Sequence, residues 1–111
     1  MRNQEAITVS RIREVLFISE DGAVSFRARS GNARPGDPAR FKMRGGRYRI
    51  RIDGRDMDMT RVAWAYHHGK WPWFWVWHVV PRSWDFSAGN IMKWKEFDAA
   101  ERAKSAAARA K

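Results

Sequence analysis

The stretch KWPWFWVWHVV, residues 70–80, places tryptophans at 71, 73, 75 and 77 and follows them with His78. Histidine is the side chain whose charge changes near neutral pH. The indoles beside it offer flat apolar faces. In an extended segment alternate residues share a face. Trp71, Trp73, Trp75 and Trp77 would then lie on one side, with Phe74, Val76 and His78 on the other. Three roles fit such a strip: core packing, sequence-tolerant stacking on unpaired bases, or a protein interface, including a homodimer. An exposed aromatic strip of this size marks a contact site, which makes Trp73, Trp75 and Trp77 the candidate partner-binding residues.

A second chemistry comes from charge. The chain has 22 Lys and Arg against 12 Asp and Glu, a net charge of +10, and its pI is about 11.1. Such a balance attracts polyanions, and nucleic acid, DNA first, is the expected partner. Within GGRYRIRIDGRDMDM, Arg47, Arg49 and Arg51 alternate with Tyr48, Ile50 and Ile52. A two-residue turn at Asp53-Gly54 would set Arg51 opposite Asp56 and Arg49 opposite Asp58. Opposite charges facing each other across strands are mildly stabilising, so much of the stripe is expected to be neutralised internally. Arg40, Lys42, Arg44 and Arg47 remain as the candidate nucleic-acid-binding residues.

The elements that must position these groups are legible in outline. Residues 8–16 predict a short helix, capped by Thr8 or Ser10, with Val9, Ile12, Val15 and Leu16 on one face. Asp21-Gly22 is a turn signal, and Val24 and Phe26 alternate with polar residues as in a strand. Residues 31–40, rich in glycine and proline, predict a loop. The arginine hairpin follows, with type I′ geometry at Asp53-Gly54. TRVAWAYHHGK predicts a helix capped by Thr60, burying Val62, Ala63 and Tyr66 and ended by Gly69. His67 and His68 fall in its last turn, where they complement the helix dipole. Residues 81–90 predict a loop. Residues 96–111 predict an alanine-rich basic helix or tail with a fraying end. One domain over residues 1–95 precedes that tail; 111 residues suit a single core. The chain has no cysteine, which excludes disulfides, thiolate metal sites and cysteine nucleophiles. No apolar run approaches the roughly 20 residues needed to span a bilayer. The N-terminus lacks the layout of a secretion signal, so no membrane association and a cytoplasmic location are expected.

From residue 45 onward the order is hairpin, helix, Trp-Pro, strand with histidine, loop, Asn90. GGRYRIRIDGRDMDMTRVAWAYHHGKWP followed by HVVPRSWDFSAGNI resembles the HNH endonucleases of the His-Me finger superfamily, especially the small homing-type enzymes common in phages. The earlier SRIREVLFISEDGAVSFRARSGNARPGDPA is similar to the usual N-terminal portion of such proteins, so the resemblance covers most of the chain. It implies an α+β fold: an N-terminal helix and β-hairpins, then a ββα-metal-type finger and a C-terminal helix. It also implies His78 as the general base that activates water, and one Mg²⁺ held at Asn90, with Asp85 matching an aspartate of the connecting loop.

The chain departs from that pattern at four places. Trp77 stands where the family has a metal-ligating Asp or His. Phe86 replaces the asparagine that orients the base, Val80-Pro81 replaces an Asn-Gly turn, and Thr60 replaces a histidine. Mg²⁺ takes oxygen ligands that normally include carboxylates, and an indole supplies none. The expectation is therefore a nuclease-derived binding protein, catalytically impaired, acting in the host cytoplasm if phage-borne. It would bind nucleic acid and, through the tryptophans, a host or defence protein. The alternative is an active Mg²⁺-dependent DNA endonuclease.

Overall fold

Thr8 opens the first helix: its hydroxyl accepts the N–H of Arg11 at 3.1 Å, satisfying one of the donors a helix start leaves unpaired. That helix, α1, spans Val9–Val15 and buries Ile12 and Val15. The computed structural model describes residues 7–45, 47–78 and 85–109. Strands β1 (Leu16–Ile18) and β2 (Val24–Phe26) pair antiparallel as a hairpin around the Asp21-Gly22 turn. Leu16, expected to end the helix, instead begins β1, with its backbone extended at φ −110 and ψ 150.

Strands β3 (Lys42–Arg44), β4 (Arg47–Ile52) and β5 (Arg55–Asp58) form an antiparallel sheet in that order. The β4–β5 turn places Asp53 at φ 51 and Gly54 at φ 79, the two positive φ values of a type I′ turn. The register is the expected one: Arg51 faces Asp56 and Arg49 faces Asp58. Ile50 and Ile52 are fully buried on the inner face.

Helix α2 (Met59–His68) lies at the centre of the fold, touching α1, β4, β5 and the strands that follow. Its cap corrects the expectation. Asp58, not Thr60, is the N-cap; its carboxylate accepts the Thr60 N–H at 2.9 Å. The β5 strand runs straight into the helix, so the last strand residue is already in cap position. Gly69 ends α2, donating its N–H to Ala65. Strands β6 (Val76–His78) and β7 (Ile91–Lys93) pair antiparallel, with a 3₁₀ turn at Ala88–Asn90 before β7. Helix α3 (Trp94–Arg109) closes the described chain. Its outer turns are exposed and carry the pairs Arg102–Asp98 and Lys104–Glu101.

The fold is thus a small α+β arrangement, with three helices and antiparallel sheets among the described residues. One core joins α1, the β1–β2 hairpin, the inner face of β4–β5, α2, Val76, Phe86 and Ile91. No helix among the described residues is long and apolar enough to cross a membrane.

Candidate functional site

His78 ends β6, where strand alternation turns Val76 and His78 inward and leaves Trp77 half-buried. The ring is only 8% exposed. Its Nε2–H donates to the Asp85 carbonyl at 2.7 Å. A carbonyl only accepts, so the neutral ring carries its proton on Nε2 and its lone pair on Nδ1. Asn90 Nδ2 donates to the same carbonyl at 2.8 Å. The structure therefore brings the three expected site residues, His78, Asp85 and Asn90, together around one backbone oxygen.

Phe86 is what the sequence reading missed. Its ring stacks on His78, with centroids 4.8 Å apart and planes 12° from parallel. It also packs against Phe41 at 5.1 Å and Tyr48 at 5.9 Å, and is fully buried. Its backbone is held from two further directions. Phe86 N–H donates to Gly22 O at 3.0 Å. His67 Nε2–H donates to Phe86 O at 2.7 Å. Thus His67, expected only to complement the helix dipole, also fixes the loop. The Asp85 carboxylate accepts the Ser87 N–H at 2.9 Å. Hydrogen bonds from the Ser87 hydroxyl and backbone hold it below the ordinary aspartate range; nearby His78 adds to this, and Asp21 opposes it. The loop positions between His78 and Asp85, including the expected Val80-Pro81 departure, lie outside the described residues.

The donor set does not fit a Mg²⁺ centre of the implied kind. Trp77 has no side-chain oxygen to offer, Asn90 can present only a neutral amide oxygen while its nitrogen donates to Asp85 O, and the one nearby carboxylate, Asp85, accepts from Ser87. The sequence of residues 79–84, VVPRSW, adds no carboxylate. No group of three or more His, Cys, Asp or Glu able to hold a metal ion occurs among the described residues.

The tryptophans divide. Trp71 donates its indole N–H to Ile7 O at 2.9 Å and packs on the core. Trp77 is half-buried. Trp73 and Trp75 are 87% and 75% exposed, and the regular strand begins only at Val76.

The basic residues divide too. Arg40, Lys42 and Arg44 are exposed. Arg47 turns inward: it meets the Asp58 carboxylate at 2.5 Å and donates to Val76 O at 3.3 Å. Arg49 takes Asp56 at 3.4 Å. The ion pairs are therefore shifted one strand step from the backbone register, and Arg51 is left exposed. The sequence held the signal for this: three arginines on the stripe share two aspartates. Arg40 and Arg51 line both of two adjoining grooves, of about 560 and 350 Å³. Lys42 and Arg44 extend the second groove, and Asp37 and Asp53 lie in the first. Compared with protein-family models, with curated proteins and with solved structures, the chain matches none.

Proposed function

We propose that this chain is a nucleic-acid-binding protein derived from a nuclease of the HNH type, with its histidine site closed rather than kept for hydrolysis. The observation that carries the binding is the pair of grooves joined by Arg40 and Arg51 and flanked by Lys42 and Arg44. Guanidinium groups match phosphate oxygens in a planar fork. A cationic surface of this kind gains affinity chiefly by releasing counterions from the phosphate backbone. On this reading β6, β7 and α3 form the ββα finger, and the loop has folded Phe86 over the ring that would otherwise meet a scissile phosphate. One observation favours the alternative of an active Mg²⁺-dependent endonuclease: the lone pair on Nδ1 of His78, which a general base requires.

Fluorescence anisotropy on labelled DNA tests the binding. If about four phosphates are neutralised, log K should fall against log salt with a slope of about −3.6. Arg40→Glu with Arg51→Glu should flatten that slope by about 2 and weaken binding at least about tenfold. No binding by the native chain at low salt would remove this reading.

A further inference from the structure

The loop before β6 exposes two indoles on a backbone anchored by side-chain hydrogen bonds. Arg61 donates to Pro72 O at 2.6 Å and to Phe74 O at 3.4 Å, and Arg47 donates to Val76 O at 3.3 Å. Between the two exposed rings, Phe74 turns inward and meets Trp64 edge-on at 5.1 Å. Pro72 and Val76 are buried on either side. Inward residues thus anchor the loop, while Trp73 and Trp75 stand out at 87% and 75% exposure. A tryptophan buries 150–250 Å² when it finds a partner, so two indoles two residues apart and left in water form a contact surface. Because the loop is already ordered, little conformational entropy remains to be lost on binding.

We infer that Trp73 and Trp75 are a stacking platform for the unpaired bases of single-stranded nucleic acid. Charge and position favour this occupant over a protein. The chain carries +10, and exposed Arg44 lies on the same side of the fold as the loop: it is the cross-strand neighbour of Arg47, which is itself paired with Asp58 and donates to the carbonyl of Val76, next after Trp75. Phosphates seated along Arg44 would bring the neighbouring bases toward the indoles. Aromatic rings beside a basic track are how proteins hold single strands without reading sequence. The inference rests on the proposed nucleic-acid binding and specifies its target.

The test compares a 20-nucleotide oligo(dT) with a 20-base-pair duplex, binding the full chain in anisotropy titrations. Trp73→Ala with Trp75→Ala should weaken oligo(dT) binding at least about tenfold, change duplex binding less than about twofold, and leave the salt slope unaltered. Trp73→Phe with Trp75→Phe keeps two π-faces and should retain most of the oligo(dT) affinity. Circular dichroism should show both variants folded, since neither ring is part of the core. Equal oligo(dT) binding by the alanine variant and the native chain would overturn the platform while leaving the basic-groove reading intact. Native chain that binds neither nucleic acid would overturn both. Tryptophan-dependent retention on phosphatidylserine vesicles, with no tryptophan dependence on oligo(dT), would assign the indoles to a lipid surface instead.

Discussion

Phe86→Ala is expected to lower the free energy of unfolding by about 3–5 kcal/mol, the usual cost of truncating a buried aromatic side chain. Phe86 has no exposed surface. It joins Phe41 and Tyr48 to His78, so its removal leaves a cavity between the β3–β4–β5 sheet and β6. Phe86→Asn should do no better. An amide placed among these rings loses the same packing and adds a polar group that needs partners. A denaturant midpoint read for each variant checks this, and a loss below about 1.5 kcal/mol would mean that the loop is not held by this ring. The aromatic ring that stacks on His78 is thus part of the core.

Gly22→Ala is expected to cost about 2–4 kcal/mol, combining overpacking with backbone strain. Gly22 has φ +89, and a Cβ there would lie 1.9 Å from Asp85 Oδ1 and 2.6 Å from the Phe86 backbone nitrogen. The carboxylate can swing away, but the backbone nitrogen is hydrogen-bonded to Gly22 itself. The β1–β2 turn and the loop carrying Asp85 must therefore separate. Gly31→Ala provides the control, because φ is also positive there, at +57, and a Cβ would meet nothing within 4 Å. Equal losses for the two variants in urea unfolding would show that strain alone is felt and that the turn does not support the loop.

Local chemistry made much of the fold legible. Asp53-Gly54 admits the type I′ turn, and that turn sets the register of β4 and β5. Thr8 and Gly69 mark helix ends by side-chain and backbone chemistry that needs no distant partner. The errors arose where distant contacts decide. Thr60 and Asp58 are both competent caps; the run of β5 into α2 selected Asp58. Arg47 was assigned to nucleic acid because no aspartate stood opposite it, yet long side chains reach diagonally, so Arg47 took Asp58 and Arg51 was left exposed. The inward and outward alternation of Phe74 to His78 was readable from period two, but which outward tryptophans stay in water depended on Ile7 arriving at Trp71. Phe86 was visible only as a departure from a motif. Its ring partners are Phe41 just before β3, Tyr48 in β4 and His78 in β6, and no spacing rule reveals them.

The central claim, a binding protein whose histidine site is closed, is tested most directly on one agarose gel. Supercoiled plasmid is incubated with the native chain and with His78→Ala at low salt, in Mg²⁺ and in Mn²⁺, and run before and after protease and detergent treatment. Retarded plasmid is expected in every lane before treatment, and intact supercoiled plasmid in every lane after it. Open-circular or linear DNA produced by the native chain and lost in His78→Ala would contradict it, and would make His78 a working general base.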